Sequence, residues 1–234
     1  VVDGEFGDTA VRAVHRFFFK TAQTIEVFAF GAGTIGGTMI DQIRDQHDKL
    51  LKENVDIKVL CITTIDGMNI NEDGLDLTNW REDLKTPMYK FGPSNVDDII
   101  KFVKEKKPLN PVFVDCTASY DLPERYLDIL NAGMSIATPN KRANSMNMEF
   151  YHELRRTANK MHRRFLYETN VGAGLPIIDT LQNLYKSGDK LEVFNGIMSG
   201  SLSYIFGKLD EGVPFSKAVL EAKELRYTEP DPRD

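Results

Sequence analysis

A glycine-rich turn, FGAGTIGG at residues 30–37, limits more than any other feature how this chain can fold. Gly31, Gly33 and Gly36 have the G-x-G-x-x-G spacing, directly after a strand-like apolar run and at the start of a helical pattern. Gly31 permits a tight turn, Gly33 lets the backbone approach a pyrophosphate, and Gly36 permits close packing of helix on strand. The helix N-terminus favours the negative phosphate charge. This context predicts a dinucleotide-binding turn, and the alternative is a strand–helix turn without a ligand.

Apolar runs of strand length alternate with helical patterns through the first two thirds of the chain, which is typical of a parallel sheet covered by helices. The predicted strands are Gln23–Phe30, Asp56–Thr63, Pro111–Thr117 and Met134–Thr138. The predicted helices are one from Ile35 to Leu51, then Val96–Lys107 and Leu122–Asn131, the last ending at a Gly133 cap. We therefore predict an α/β class with a doubly wound parallel sheet over residues 23–164, interrupted by a long loop at Gly67–Pro87.

The pattern changes after Phe150. A basic helix at Tyr151–Arg164 comes first, and we place a domain boundary near Phe165. Another helix through Leu184, a strand at Leu191–Met198 and two further helices predict a second, α+β domain over residues 165–234. The chain stops in a Pro- and Asp-rich loop, so we expect this domain to be truncated at its C-terminus.

Composition excludes several classes of protein. The formal net charge of −6 disfavours binding to nucleic acid or to a membrane surface, since phosphate recognition needs a basic face. Cys61 and Cys116 both lie in apolar runs and are expected to be buried, reduced thiols. The four histidines have no metal-ligand spacing, so no zinc site is predicted.

The end of the second strand bears on the choice between NAD and NADP. An acidic residue there would hold the ribose of NAD, but the sequence reads Cys61-Ile62-Thr63-Thr64 and the first carboxylate is Asp66. The missing acid favours NADP, although no arginine follows the strand to hold a 2′-phosphate.

Several longer segments resemble the homoserine dehydrogenase family. They are DCTAS (115–119), ATPNKRAN (137–144), YETNVGAGLPII (167–178), GIMSGSLSYIFGKLDEG (196–212) and YTEPDPRD (227–234). The resemblance implies a Rossmann domain followed by a substrate and dimerisation domain. Residues 1–22 are similar to the end of the regulatory ACT domain of fused aspartokinases; the alternative is a helix that buries Val11, Val14 and Phe18.

The resemblance implies reversible reduction of aspartate 4-semialdehyde to homoserine by NAD(P)H. Lys141 matches the lysine that the family places at the nicotinamide and substrate. An alkoxide formed by hydride addition needs a proton donor or fixed positive charge, which a lysine can supply. The alternative is a solvated surface lysine. The implied cofactor residues are Gly31, Gly33, Thr34, Ile35, Gly36, Thr117 and Lys141. The implied substrate residues are Gly200, Ser201, Tyr227 and Glu229, with Asp231 and Asp234 as weaker candidates. Ser201 has an alternative role as the cap of the helix that follows it.

A sodium ion is also implied. The side chain of Glu168 and the backbone carbonyls of Val171, Ala173 and Leu175 match its ligands, and oxygen donors at a Gly-rich bend suit a hard cation. The alternative is an ion pair between Glu168 and a nearby arginine, Arg163 or Arg164.

Two departures from the family pattern matter. The second catalytic lysine is expected beyond Asp234, so weak or no turnover is expected from these residues alone. Arg226 stands where glycine is common, and a left-handed backbone there would strain arginine.

Two other functions stay open: another nicotinamide-dependent semialdehyde or hydroxy-acid dehydrogenase, and a non-catalytic dinucleotide-binding or dimerisation fragment. From the resemblance we expect a small-molecule substrate, a homo-oligomer (dimer or tetramer) and covalent fusion to aspartokinase. The expected location is the bacterial cytoplasm or the plastid stroma.

Overall fold

The computed structural model describes residues 7–19, 22–90, 96–228 and 231–232. The chain divides into two compact units, unit 1 (Val1–Leu166) and unit 2 (Tyr167–Asp234). The strands are β1 (Gln23–Phe30), β2 (Val55–Thr63), β3 (Gly67–Ile70), β4 (Tyr89–Lys90), β5 (Pro111–Asp115), β6 (Ser135–Ala137) and β7 (Phe165–Leu166). The helices of unit 1 are α1 (Gly7–Phe19), α2 (Thr34–Asp45), α3 (His47–Lys52), α4 (Trp80–Asp83), α5 (Val96–Lys106), α6 (Tyr126–Asn131), α7 (Arg142–Ser145) and α8 (Met148–Lys160). Those of unit 2 are α9 (Ile178–Lys186), α10 (Gly200–Asp210) and α11 (Phe215–Glu224).

The strands of unit 1 form one sheet in the order β4-β3-β2-β1-β5-β6-β7. The five strands from β2 to β7 in this order are parallel, whereas β3 and β4 are antiparallel additions at the edge beside β2. The predicted α/β class with a mainly parallel, doubly wound sheet is confirmed.

The order of the strands positions the site. From β1 the chain goes first to β2 on one side and later to β5 on the other side, so the strand order reverses at β1. Such a switch point leaves a crevice at the carboxyl ends of the two central strands. Phe30 pairs with Asp115 in the β1–β5 register, so the turns that begin at Gly31 and at Cys116 leave the sheet side by side.

Burial on both faces explains why the central strands are nearly continuous apolar runs. Phe28 and Phe30 belong to one buried cluster, while Val27 and Ala29 belong to a second cluster together with Ile40 of α2. Successive side chains of a strand point to opposite faces, so β1 contributes to both clusters.

Several predictions about the elements of unit 1 are wrong in detail. The predicted loop at Gly67–Pro87 contains β3 and α4, and the single helix predicted through Leu51 is divided at Gln46 into α2 and α3. The helix predicted from Leu122 is a 3-10 turn up to Arg125, followed by α6. Gly133 has φ +88°, as a left-handed cap requires.

Two further predictions fail on burial or on backbone structure. Val11 and Val14 are 68% and 55% exposed, so α1 does not bury the face proposed for it; the side chain of Phe18 lies outside the described residues. Residues 191–198 form no strand and are all exposed. Among the described residues, no helix is long and apolar enough to cross a membrane.

Candidate active site

The first glycine of the turn has a backbone that glycine alone adopts without strain. Gly31 has φ +86°, and its N–H donates to the carbonyl of Thr63 at 3.1 Å. A Cβ at Gly31 would lie 2.9 Å from the carbonyl oxygen of Cys116 and 3.0 Å from Cγ2 of Thr117. Gly31 therefore closes the gap between the turns that follow β1 and β5.

Gly36 and Gly33 have opposite surroundings. A Cβ on Gly36 would lie 1.8 Å from the carbonyl oxygen of Gly31, so α2 packs on the turn too closely for any side chain. A Cβ on Gly33 would meet nothing within 4 Å, so packing against the protein does not explain this glycine. The open space lies at the N-terminus of α2, where no side chain caps the helix and no acidic residue stands in the first turn. Backbone donors beside an open surface fit a pyrophosphate.

The remaining predicted cofactor residues of the turn, Thr34 and Ile35, are exposed in the first turn of α2. Gly37, which sequence reasoning did not single out, is buried against the indole of Trp80, 3.4 Å from the position of a Cβ. Trp80 is 3% exposed and comes from the segment between β3 and β4, so this segment covers the beginning of α2.

The same segment brings an arginine to α2 that the sequence analysis missed. A Cβ on Gly37 would lie 3.5 Å from Nη2 of Arg81, in the first turn of the helix. Arg81 donates to both carboxylate oxygens of Asp41, and Trp80 Nε1 donates to Oδ1 of Asp41 at 3.1 Å. The hydrogen bond from Arg81, followed by that from Trp80, lowers the pKa of Asp41 to about 2. No local pattern connects Arg81 with the cofactor crevice, because Arg81 is distant in sequence from both β2 and the glycine turn.

A buried carboxyl group lies at the carboxyl end of β5. Asp115 is fully buried, and its Oδ1 accepts from the backbone N–H of Thr117 at 2.8 Å and from the Thr117 hydroxyl at 2.7 Å. Its Oδ2 accepts from the hydroxyl of Tyr126 at 2.6 Å and from Nδ2 of Asn140 at 3.3 Å. Burial raises the pKa of Asp115, and the hydrogen bonds from Tyr126 and Thr117 oppose that rise.

The turn after β6 carries Lys141 and is tied to the turn after β5. The Thr138 hydroxyl donates to the backbone carbonyl of Asp115 at 2.9 Å. Nδ2 of Asn140 reaches the carbonyls of Thr117 and Ser119 at 3.2 and 2.9 Å. Lys141 follows directly, with an exposed side chain, and its carbonyl accepts from the N–H of Asn144 as α7 begins. The structure thus brings the predicted residues Thr117 and Lys141 to the same edge of the sheet as the glycine turn.

Both cysteines are free thiols, and the predicted burial holds for Cys61 but only in part for Cys116. Cys61 is fully buried, and burial raises its pKa far above the ordinary value. Cys116 is partly exposed beside Gly31, and burial raises the pKa of its thiol to about 11. Neither thiol is activated as a nucleophile at neutral pH.

In unit 2, Glu168 has a use that the sequence did not reveal. Its carboxylate oxygens accept from the N–H groups of Ile178 and Asp179 at 2.9 and 2.7 Å, so Glu168 caps the N-terminus of α9. Ala173 has φ +52° in the bend between them. Within the described residues, no cluster of three or more His, Cys, Asp or Glu side chains could hold a metal ion. A sodium site made of Glu168 and backbone carbonyls stays a prediction.

Four of the six predicted substrate residues are described: Gly200, Ser201, Tyr227 and the weaker candidate Asp231, which is half-buried. Gly200 and Ser201 form the first turn of α10, and the Ser201 hydroxyl donates to the carbonyl of Tyr227. The alternative role of Ser201 as a helix cap is wrong, because the Ser199 hydroxyl accepts from the N–H of Leu202 at 3.2 Å and is the cap. Glu229 and Asp234 lie outside the described residues.

Arg226 has the left-handed backbone that the sequence analysis considered, with φ +59°. The N–H of Tyr227 donates to the carbonyl of Ala222, and the N–H of Arg226 donates to that of Lys223, both at 2.9 Å. These two bonds make a Schellman motif that ends α11, in which glycine is the preferred residue at the left-handed position.

Comparison with known protein families gives two matches that together cover most of the chain. The family described as "Homoserine dehydrogenase, NAD binding domain" matches residues 31–168. The family described as "Homoserine dehydrogenase" matches residues 176–234. The first match spans the glycine turn, Thr117 and Lys141, and the second spans Ser201 and Tyr227.

Individual relatives also have homoserine dehydrogenase in their names, as one part of a bifunctional protein. The chain is 45% identical over 225 residues to a bifunctional aspartokinase/homoserine dehydrogenase of Haemophilus influenzae, covering 96% of this chain and 27% of that protein. It is 43% identical over 227 residues to a chloroplastic bifunctional aspartokinase/homoserine dehydrogenase 1 of Arabidopsis thaliana, covering 96% of this chain and 25% of that protein. The chain therefore spans about a quarter of the length of these relatives.

A similar solved structure is a hyperthermophilic archaeal homoserine dehydrogenase in complex with NADPH. The TM-score is 0.72 with 27% sequence identity, over 90% of this chain and 64% of that one. The likeness extends over most of the described chain.

Proposed function

Because this chain belongs to the homoserine dehydrogenase family, we propose that it takes part in the reversible reduction of L-aspartate 4-semialdehyde to L-homoserine with a nicotinamide cofactor. One observation carries the proposal: the glycine turn, Thr117 and Lys141 lie together at the switch point of the sheet. A crevice at that position is where open α/β sheets bind dinucleotides.

Each part of the crevice has a distinct task. The N-terminus of α2 and the open surface at Gly33 would bind the pyrophosphate, and Thr117 would, by the resemblance, line the nicotinamide end. The reduced nicotinamide would supply a hydride for the aldehyde carbon of the substrate. Lys141 stabilises the negative charge that develops on the aldehyde oxygen, because an ammonium group in a partly desolvated crevice favours an alkoxide more than the neutral carbonyl. From the family resemblance, a second lysine beyond Asp234 is the proton donor.

In this proposal, residues of unit 2 bind the substrate. The amino-acid end of the substrate requires polar and acidic partners, and Gly200, Ser201, Tyr227 and Glu229 are assigned to it. The hydrogen bond from Ser201 to the carbonyl of Tyr227 supports the assignment, since it joins two segments that are distant in sequence. A sodium ion at Glu168, Val171, Ala173 and Leu175 belongs to the same unit in this proposal.

For the cofactor we propose NADP in preference to NAD. No acidic side chain follows β2 before Asp66, and Arg81 lies at the first turn of α2. Its Nη atoms donate to Asp41, and its positive charge beside the crevice favours the additional phosphate of NADP. Arg81→Ala is expected to raise the Kd of NADPH about tenfold and to leave the Kd of NADH nearly unchanged. Fluorescence titration with both cofactors measures this, and an equal change for both would remove Arg81 from the proposal.

The relatives from Haemophilus influenzae and Arabidopsis thaliana are named as bifunctional proteins with an aspartokinase part. We extend this to the present chain and propose that it is one part of such a fusion, within a homo-oligomer in the bacterial cytoplasm or the plastid stroma.

The test of the activity is NADPH oxidation with aspartate 4-semialdehyde, followed by absorbance, both by this chain and by the chain extended past Asp234 with its natural continuation, which supplies the second lysine. Lys141→Ala is expected to lower kcat by about 10²-fold or more, because the developing alkoxide loses its nearest cation. Lys104→Ala is the matched control, since Lys104 is exposed on α5 in the same unit, and this variant should retain full activity.

The two alternative functions predict other results. Turnover of a different semialdehyde or hydroxy acid in preference to aspartate 4-semialdehyde would favour another nicotinamide-dependent dehydrogenase. NADPH binding without turnover, even after the chain is extended past Asp234 with its natural continuation, would favour a non-catalytic dinucleotide-binding fragment.

A further inference from the structure

Asp115 is a fully buried carboxyl group that the proposed chemistry does not use. Its two oxygens accept four hydrogen bonds, two from Thr117, one from Tyr126 and one from Asn140. No basic side chain within the described part of the chain forms an ion pair with it. A buried carboxyl is costly to retain in a protein core, and here hydrogen bonds alone satisfy it.

The four donors come from both sides of the crevice. Thr117 belongs to the turn after β5, and Asn140 belongs to the turn after β6. The third side chain, Tyr126, is fully buried at the start of α6 and also lies 3.1 Å from the Thr138 hydroxyl. Asp115 therefore accepts hydrogen bonds from both turns: the turn of Thr117 after β5, and the turn after β6 that carries Lys141.

The connection from Asp115 to Lys141 is short and well defined. Oδ1 of Asn140 accepts from the N–H of Arg142 at 3.0 Å, so its Nδ2 must face Asp115 and the carbonyls of the β5 turn. The N–H of Asn140 donates to the Thr138 hydroxyl at 2.9 Å. The backbone on both sides of Lys141 is thus fixed, and the exposed Lys141 side chain begins from a fixed point.

We infer that Asp115 is a positioning residue that holds the turn of Lys141 against the turn of Thr117, and thereby sets the lysine over the cofactor. The inference rests on the proposed function, because it assigns Lys141 to the nicotinamide cofactor. Neither Asp115 nor Tyr126 touches substrate or cofactor in this arrangement. They act through the backbone of the two turns.

Asparagine cannot replace Asp115, although it has the same shape. An amide NH₂ on the Oδ1 side would face the N–H of Thr117, and on the Oδ2 side it would face the NH₂ of Asn140. Both are donors that have no acceptor form. One orientation of the Asp115→Asn side chain opposes the N–H of Thr117, and the other gives up the hydrogen bond from Asn140, so either orientation weakens the link between the two turns.

The test measures how well bound NADPH shields Lys141 from acylation by a lysine-selective reagent, with peptide mass spectrometry as the readout. At an NADPH concentration of about ten times the Kd of each variant, a lysine covered by the cofactor reacts about tenfold more slowly than in the free protein. Wild type is expected to show this protection. Asp115→Asn at the same cofactor occupancy is expected to lose most of it, to less than about threefold.

Glu26→Gln is the matched control. Glu26 is 8% exposed on β1, at the opposite end of the strands, and its Oε2 accepts from the N–H of Asn110 at 3.0 Å. This variant also replaces a buried carboxyl that accepts a backbone hydrogen bond, so it is expected to lower stability and to retain the full protection of Lys141.

The outcomes are distinguishable. Full protection in Asp115→Asn would overturn the inference, whatever the loss of thermal stability. Absence of NADPH binding or of Lys141 protection in wild type would overturn the proposed cofactor site, and the positioning role with it. If Asp115→Asn does not fold, Tyr126→Phe decides, since it keeps the carboxylate and removes one of its four donors. Reduced protection in Tyr126→Phe supports the inference, and wild-type protection contradicts it.

Discussion

Units 1 and 2 contain similar apolar runs but bury them very differently. In unit 1, β1 is enclosed between two strands, and Phe28 and Ala29 are 0% and 1% exposed. In the described part of unit 2, the run at Leu191–Met198 pairs with no strand, and Val193 and Ile197 are 72% and 84% exposed. The buried apolar cluster of unit 2 consists of Ile205, Ala218 and Ala222. β-structure therefore depends on neighbouring strands as much as on the apolar pattern itself.

The largest expected difference between the two runs is in amide hydrogen exchange. The amides of β1 are paired on both sides, so they are expected to exchange only in rare opening events, at least about 10³-fold more slowly than unprotected amides. No backbone hydrogen bond in the described chain involves residues 191–198, so these amides should exchange at nearly unprotected rates. Exchange followed by mass spectrometry of peptides measures both runs in one experiment.

Strong protection of residues 191–198 would contradict the difference between this run and β1. It would mean that this run forms hydrogen bonds in solution, either as the strand that its sequence pattern predicts or in another arrangement. If residues 191–198 are equally protected in this chain and in a longer natural chain, their hydrogen-bond partners lie within residues 1–234.

The sequence was sufficient for the parallel core of unit 1, because its elements are determined by local patterns. The strand predicted at Gln23–Phe30 has the same bounds in the structure, and the roles of Gly31 and Gly36 in turn and packing follow from spacing alone. A turn that needs φ above zero and a helix that packs on it both require glycine at fixed positions.

What sequence reasoning missed depends on contacts between distant segments. The hairpin of β3 and β4 has very short strands, and four residues at Gly67–Ile70 carry little periodicity. Arg81 reaches α2 only because the segment between these strands covers that helix. Asp115 was visible as an acidic residue at the end of an apolar strand, yet its four donors come from three separate segments, and no local pattern connects them.

The next largest effect concerns two glycines of the same turn, Gly33 and Gly36, whose surroundings differ. Gly36→Ala places a Cβ 1.8 Å from the carbonyl oxygen of Gly31, so α2 must move away from the turn. The expected loss of unfolding free energy is about 3 kcal/mol, at the upper end for overpacking. Urea unfolding followed by the fluorescence of Trp80, the single tryptophan, reports on unit 1.

Gly33→Ala is the control for the same experiment. Nothing lies within 4 Å of the added Cβ and the backbone has φ −72°, so the expected cost is only the weaker N-cap preference of alanine at the start of α2, well below the loss in Gly36→Ala. The Kd of NADPH should nevertheless rise at least about tenfold, since the Cβ occupies the space proposed for the pyrophosphate. Normal NADPH affinity in Gly33→Ala would remove the dinucleotide assignment of this turn.

A smaller effect is expected in unit 2, where Glu168 caps α9. Glu168→Ala removes two hydrogen bonds to a carboxylate at a helix N-terminus, and the expected loss is about 1–2 kcal/mol in the opening free energy of the α9 amides. Hydrogen exchange of peptides from Ile178–Lys186 measures it. Glu192→Ala, at an exposed position of the same unit, should change nothing.

The Glu168→Ala variant also tests the sodium prediction. A sodium ion that binds only the folded unit stabilises it in proportion to its occupancy, so α9 of wild type should be better protected in NaCl than in KCl at equal ionic strength. Glu168→Ala should be equally protected in both salts. If α9 of wild type is equally protected in NaCl and KCl, the sodium prediction is wrong and Glu168 only caps the helix.

The smallest expected effect is at the C-terminal ends of two helices within unit 2, α10 and α11. Helix α11 ends at Arg226 with φ +59°, and α10 ends in the same motif at Gly212 with φ +83°. A non-glycine residue in the left-handed region costs about 1 kcal/mol, so Arg226→Gly should stabilise the α11 amides by roughly that amount. Hydrogen exchange of peptides from Phe215–Glu224 is the measurement.

The reciprocal variant separates backbone strain from side-chain effects. Gly212→Ala adds a Cβ that meets nothing within 4 Å, so its only cost is the backbone conformation, and α10 should lose about 1 kcal/mol. Opposite shifts of similar size at the two helices would show that the left-handed position controls both ends. If Arg226→Gly instead destabilises α11, the arginine side chain makes contacts that outweigh the strain of its backbone, and the departure from glycine at this position is then favourable.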